Sequence, residues 1–433
     1  MPGQPLFIAG IAALATVVSL AQTTSAMAFD WKKWSGQTVH FLVNNNPIGN
    51  ALLKHKSQFE DLTGIKLVAD QYQEQQMRQR LLTAMNAHST EFDIFMTLPS
   101  LEGKQFAAAG WYEDLGKYAA SAPQSYDYKG LSKALLTAAT YDGHLTSLPI
   151  NVDGPVLYYR KDILTECGQT IPAKINGLPT LFSKLKACKS AIVPFASRGL
   201  KAAAPYTFSA FLHNMGGEYR KDGKPQLCST ADKEALRMYT DILRKYGPPG
   251  VINANFYQVA DLFRSGRAAM AFESVNQLEY ILKNPQRQKD TAVTLLPPGK
   301  GGSVPTVIGW GLAMSPYSGK KGPAWYFLQW ATSPKTQNEI ALDGVAVPRA
   351  SVSKSPEFQA LTSKFPARKE RQAALEEMLS TGSSEVGVPI IANRESREYI
   401  GSAIGDLILG QGTVETACKK ADASIEALIK QER

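Results

Sequence analysis

The chain has 433 residues, too many for one compact core of about 100–150 residues, so two lobes are expected. With 44% hydrophobic and 20% charged residues it is too apolar for a disordered protein. The net charge is +9, yet the Lys and Arg residues are scattered, with no long run and no stripe interleaved with aromatics; this reads as a solvated basic surface and excludes an evident nucleic-acid partner.

Residues 1–28 read as a secretory signal. An apolar stretch from Leu6 to Leu20 leads to Ala26-Met27-Ala28, which fits the A-x-A cleavage pattern and predicts a mature start at Phe29. The run is short for a membrane span, which needs about 20 residues, and no later stretch is long and apolar enough to make one. No Lys or Arg precedes it, a departure from the usual signal, and no Cys follows it to take a lipid. Export places Cys167, Cys188, Cys228 and Cys418 in an oxidising space, where three full pairings are open. Cys167 with Cys188 closes the short, local loop and is slightly favoured. The lack of a C-x-x-C pair and the isolated histidines give no metal site.

From residue 38 the order is β-α-β-α-β. Val39, Phe41 and Val43 alternate as a strand with one buried face, stopped by Asn44-Asn45-Asn46-Pro47. A helix follows with Leu52, Phe59 and Leu62 near one face, ended by Gly64. Ile65 and Leu67 open a second strand, Glu74 to Met85 forms a helix, and Phe92 to Met96 is a third strand. This order predicts a largely parallel sheet. Ligands bind at the carboxyl ends of such strands, here Asn44–Asn46, Asp70–Gln73 and Thr97–Ser100. Helical segments follow near 101–109 and 131–140. Leu148 to Leu164 then reads as a buried strand crossing between lobes, with Asn151 and Asp153 facing a cleft. Further helices are predicted at 180–188, 206–215, 231–246, 259–263 and 323–332, strands at 268–272 and 308–314, and a helical tail over 396–429.

Several segments together carry a resemblance. Tyr159-Arg160-Lys161-Asp162 sits in the crossover; Gly216-Gly217 through Gly223-Lys224 forms a hairpin pattern; Phe263-Arg264-Ser265-Gly266-Arg267-Ala268-Ala269-Met270 reads Phe-x-x-Gly-[Lys/Arg]-Ala-Ala-Met. Ala324 to Leu328, Val347-Pro348-Arg349 and Gly410 to Glu415 complete the series. In this order they resemble the bacterial extracellular solute-binding proteins that feed sugar ABC importers, over nearly all of the mature chain. The resemblance implies a two-lobed periplasmic binding protein fold of the α/β class. Each lobe would be a mostly parallel sheet flanked by helices, with hinge crossovers between lobes. Lobe I would hold 29–148 and 305–350, and lobe II 152–302 and 355–433. It also implies a periplasmic, monomeric protein without a cofactor, whose partners are a small solute and the transmembrane subunits of an ABC permease.

The guest expected is a sugar, polyol or short oligosaccharide, bound by side chains that both donate and accept and by aromatic rings for its C–H faces. At the strand ends, Asn44, Asn46, Gln73 and Thr97 are candidates. By resemblance, Asp153 would accept hydroxyl protons, Tyr206 would be an aromatic contact, and Glu273 and Asn276 would follow the Ala-Ala-Met strand into the site. The Trp that many family members carry there is missing; Trp310 is the ring expected to replace it. Arg349 and Arg394 are candidates for the cleft rim, whereas Phe256 and Tyr257 read as packing residues. Two other functions are weighed: the same fold binding an anionic solute such as a sugar acid, and an exported carbohydrate hydrolase. The chain has no G-x-S-x-G elbow, and Glu376-Glu377 sits in a solvated helix, so an enzyme is not expected.

Overall fold

The structure, a computed structural model, describes residues 29–432 together with Met1 and Gly3; the signal segment and its cleavage point after Ala28 lie outside the described residues. The first strand forms at Thr38–Asn44 (β1), and Phe41, Leu42 and Val43 are all buried. Residues of both parities are therefore covered, because β1 is a central strand rather than one with a single buried face. It pairs in parallel with β2 (Lys66–Tyr72) and β3 (Ile94–Thr97). The helix expected after Asn46 is two, α1 (Pro47–Lys54) and α2 (Lys56–Thr63), parted at His55, whose φ of −96° and ψ of 6° leave helical geometry. Leu52 and Phe59 are buried, but Leu62 faces solvent. Gly64 ends α2 at φ 70°, a left-handed conformation that costs glycine little. Helix α3 (Glu74–Asn86) buries Met77, Leu81 and Met85 at four-residue spacing, and Arg78 with them.

Two sheets organise the rest. The first has the order β2-β1-β3-β9-β4, with β4 at Leu148–Pro149 and β9 at Gly311–Met314. The second runs β8-β5-β7-β6, from β5 (Pro155–Arg160), β6 (Val193–Ala196), β7 (Ala268–Ser274) and β8 (Thr291–Thr294). The sheets are mixed rather than mostly parallel: β9 is antiparallel to β3 and β4, and β5 is antiparallel to β7 and β8. The cause is the crossovers. A strand that enters a sheet from the cleft must run against neighbours whose carboxyl ends point at the cleft, and β5 and β9 both enter that way.

The chain crosses from β4 to β5 through Asp153 and returns from β8 to β9 through Ile308. The two crossovers are pinned to each other: Asp153 N–H donates to the Ile308 carbonyl at 2.7 Å and Ile308 N–H to the Asp153 carbonyl at 2.8 Å. Helices α4 (Leu178–Cys188), α5 (Ala204–Asn214), α6 (Thr230–Tyr246) and α7 (Phe256–Arg264) surround the second sheet, and every residue of α5 is buried. Helix α8 (Lys321–Ala331) packs on β1 and α2, where Phe41, Phe59, Phe327 and Trp330 form a ring cluster with centroids 5.1 to 5.6 Å apart. Helix α9 (Pro334–Leu342) packs on α1, and α10 (Pro366–Thr381) lies on β8. The expected helical tail is two helices, α11 (Asn393–Ile408) and α12 (Val414–Gln431), separated by Gly410 and Gly412 at φ 73° and 86°. Cys167 is bonded to Cys188 and Cys228 to Cys418. Among the described residues no helix is long and apolar enough to cross a membrane.

Candidate functional site: the cleft between the two sheets

The ends of β1, β3, β6 and β7 and the two crossovers converge on one cavity, lined by residues of both sheets. On the first-sheet side the chain leaves β1 and turns at Asn46, whose side chain accepts the Gly49 N–H at 2.8 Å and so caps α1, placing Asn46, Pro47 and Ile48 on the wall. Glu74, from the start of α3, and Leu98, just past β3, complete that side. The second-sheet side brings Arg198, two residues past β6, Ser274 at the end of β7, then Asn276 and Gln277, with Tyr206 from α5, Phe256 from α7 and Arg397 from α11. The crossovers add Asp153, Ile308 and Trp310. Direct contacts hold the two sides together: the Tyr257 hydroxyl donates to the Asn45 carbonyl at 3.2 Å, and the Asn393 amide to the Ser100 carbonyl at 2.7 Å.

Asp153 is the hub of the polar wall. Its Oδ1 accepts from the Ser274 hydroxyl at 2.6 Å, the Gly154 N–H at 2.9 Å, the Tyr206 hydroxyl at 3.1 Å and the Asn276 amide at 3.2 Å. Among the described residues Oδ2 accepts from no group, which leaves one carboxylate oxygen open. Burial raises the Asp153 carboxyl above its ordinary range, while the hydrogen bonds and the nearby Arg198 charge pull the other way. Burial and then the Asp153 charge push the Tyr206 phenol far up, so it stays a neutral donor. Asn276 is spent on bracing: its oxygen accepts the Ala346 N–H at 2.8 Å and its amide also donates to the Val152 carbonyl at 3.0 Å.

The rings are held by arginines. The Arg198 guanidinium lies 4.1 Å from the Tyr206 ring centre and is gripped by Glu273, with Nε 2.9 Å from Oε2. Arg78 lies 5.1 Å from the centre of the Trp310 ring and is itself bound to Glu74 at 3.1 Å and to Glu102. The Trp310 backbone N–H donates to Asn151 Oδ1 at 2.8 Å, which explains the buried Asn151 in the crossover. Among the described residues, the wall groups that keep unspent polarity include Asp153 Oδ2, the Gln277 side-chain oxygen, which is buried without a partner, Arg397 and the second oxygen of Glu74. Among the described residues no cluster of His, Cys, Asp and Glu could hold a metal ion.

The structure therefore brings Asn46, Asp153, Tyr206, Asn276 and Trp310 to one cavity and leaves the other candidates off its wall. Asn44 is wholly buried under it, with neither amide atom bonded. Gln73 is exposed just before α3. Thr97 is spent on Tyr112 at 2.7 Å and Glu102 at 3.1 Å. Glu273 stands behind Arg198. Arg349 does not reach the rim; it is buried and holds the Thr332, Tyr126 and Asp127 carbonyls at 2.7, 3.0 and 2.8 Å. Arg394 lines a neighbouring outer cavity. Phe256, read as packing, lies on the wall instead. Sequence reading missed Arg198, Ser274, Gln277, Glu74 and Arg397. Arg198 and Ser274 carried a signal, since both lie at strand carboxyl ends of the second sheet. Arg397 and Glu74 sit on helices and carried none.

The sequence profile described as "Bacterial extracellular solute-binding protein" matches residues 44–338. Among curated proteins, the chain is 24% identical to the erythritol/L-threitol-binding protein of Mycolicibacterium smegmatis over 73% of this chain and 71% of that one. It is 26% identical to the mannitol-binding protein of Pseudomonas aeruginosa over 67% of each. Among solved structures, it resembles an ABC transporter solute-binding protein of Agrobacterium radiobacter in complex with ribitol. The TM-score is 0.82 and the identity 24%, over 91% of this chain and 99% of that one. A solute-binding protein of Agrobacterium vitis with bound D-mannitol gives 0.79 and 21%, again over 91% of this chain and 99% of that one. These likenesses agree in fold with the two sheets and crossovers described above, and the profile match covers well over half of the sequence. The chain belongs to the bacterial extracellular solute-binding proteins.

Proposed function

We propose that this chain is the solute-binding component of an ABC importer and captures a polyol or monosaccharide between its two lobes for delivery to the permease. The observation that carries the reading is the cavity wall, drawn from strand ends of both sheets and closed by contacts across the cleft. A guest touching both sides favours the closed form by differential affinity, which is what capture requires. The unspent groups suit a polyhydroxylated guest: Asp153 Oδ2 accepts a hydroxyl proton, Arg397 donates, and Trp310 offers a face to C–H groups. The alditols that the relatives are named for or bound to support a four- to six-carbon guest. Glu273 is committed to Arg198 and Glu74 to Arg78, which supports binding over hydrolysis.

In this reading lobe I comprises 29–148 and 305–350, and lobe II comprises 152–302 and 355–433. The protein works as a periplasmic monomer after cleavage at Ala28. A thermal-shift screen with erythritol, ribitol, D-mannitol, D-tagatose and maltose tests it, because a ligand at 100 times its Kd adds about 2.7 kcal/mol. A shift with one alditol or monosaccharide, followed by recovery of that solute unchanged, is expected. Indifference to every solute, or conversion to a product, would refute it.

A further inference from the structure

Arg397 stands apart from the other arginines of the cleft. Arg78 is spent on Glu74 and Glu102, and Arg198 on Glu273. Arg397 is 6% exposed, is bonded to no acceptor among the described residues, and has its Nε buried without a partner. The fold makes room for it: a Cβ on Gly387, which sits at φ 98°, would come within 2.5 Å of the Arg397 Cγ. The side chain lines the inner cavity and also the outer cavity, whose lining does not include Asp153. Arg394 faces that outer cavity and has no carboxylate partner either, while Glu398 there lies 3.4 Å from Lys201. A buried guanidinium without an acceptor is costly, and the Arg78 and Arg198 charges nearby raise that cost. Burial, then Arg78, push the Arg397 guanidinium down to about 10, with Glu74 opposing.

We propose that Arg397, with Arg394 behind it, holds a carboxylate carried by the solute. Resting on the polyol reading above, this makes the guest a polyhydroxylated acid, a polyol whose terminal carbon is oxidised. Its hydroxyl end lies at Asp153 and Tyr206, and its carboxylate lies where the inner and outer cavities meet. The planar fork of a guanidinium matches a carboxylate with two parallel hydrogen bonds. Glu74 lines both cavities, and its oxygen on Arg78 leaves part of its charge facing the guest, so a monoanion fits where a doubly charged phosphate would be repelled.

Calorimetric titration of the full exported chain with matched pairs tests this: ribitol against D-ribonate, D-mannitol against D-mannonate, and D-glucitol against D-gluconate, with acetate alone as a further arm. In at least one pair the acid is expected to bind tenfold or more tightly than the alcohol. In R397Q, with folding checked by its melting temperature, the ratio of the two constants should fall towards one, and R397K should keep part of it. If the alcohols bind as well as the acids, or R397Q weakens both alike, Arg397 is a lobe latch or a hydroxyl donor. The inference then fails while the polyol reading stands. If the preference survives in R397Q, charge does not carry it and the inference fails. If acetate alone binds with the same dependence on Arg397, the occupant is a free anion and the assignment to the solute is wrong. Silence from both members of every pair overturns the inference together with the reading beneath it.

Discussion

Asp153→Asn separates the two jobs that the structure gives this carboxylate. The replacement has the same shape, and its amide oxygen can keep the Oδ1 position with the four donors from Ser274, Gly154, Tyr206 and Asn276. The amide nitrogen then takes the place of Oδ2, and the guest meets a donor where it met an anionic acceptor. A hydrogen bond to a charged group contributes about 1.5–3 kcal/mol, so affinity should fall about 10- to 150-fold. Titration with ribitol and D-mannitol measures the fall, and a melting curve measures the fold, which should shift by only a few degrees. Asp153→Ala should behave differently. It leaves the buried Ser274, Tyr206 and Asn276 donors unsatisfied at about 1–3 kcal/mol each, so it should lose stability as well as affinity. The wild type carries a second signature. Burial raises the Asp153 carboxyl, and protonation on acidification removes the acceptor charge, so affinity should weaken as pH drops into that raised range. D153N should lack this dependence. The reasoning is refuted if D153N folds normally and binds within about threefold of wild type, since Oδ2 would then not meet the guest.

Three further outcomes follow from the same geometry. Burial pushes Asp232 up to about 7, so the folded state holds this proton more tightly than the unfolded chain. Its contribution is full below about pH 4 and is lost as pH rises through 7, by an amount of order 4 kcal/mol. Urea midpoints between pH 4 and 8 should show this slope, and Asp232→Asn should flatten it. The disulfides close loops of 21 and 190 residues, so removing Cys228–Cys418 should cost about 5 kcal/mol against about 3 kcal/mol for Cys167–Cys188 in the chain-entropy picture; denaturant titration of the two double-serine variants ranks them. Arg349→Met should cost a few kcal/mol by leaving the buried Thr332 and Tyr126 carbonyls without a donor, at about 1–3 kcal/mol each. The readout is a lowered melting temperature for a protein that still gains stability from solute.

What the sequence made legible was local. The alternation at Val39, Phe41 and Val43, the four-residue spacing of Met77, Leu81 and Met85, and the polar end of the Leu148 to Leu164 run each report the contacts of a single element. Asn46 was found because it lies at a strand end, where backbone direction aims side chains at a cleft; Asp153 sits at the polar end of the crossover run and matches the family pattern, and Asn276 was reached by the family resemblance alone. Strand orientation was not legible, because it depends on which sheet a strand joins, and β9 joins the first sheet only after the chain has built most of the second. Arg349 and Arg397 show the same limit from the other side. Both are cations near apolar runs, and nothing local separates a brace from a site residue. Three backbone carbonyls from distant segments meet Arg349, whereas no acceptor among the described residues meets Arg397.

That contrast is the physical content of the site. Elsewhere in this cleft the fold matches its buried charges: Glu273 to Arg198, and Glu74 and Glu102 to Arg78. These pairs cost much of their Coulomb gain in desolvation, so their value lies in fixing the Tyr206 and Trp310 rings against which a guest can pack. The groups left unmatched include Asp153 Oδ2, the Gln277 oxygen and Arg397, from a crossover, a strand-end turn and a helix. A small solute with several oxygens can satisfy them in the closed form, and opening the lobes would expose them to water instead. On the proposed reading, capture and release turn on the same few atoms, and the solute is held only while both halves of the cleft contribute.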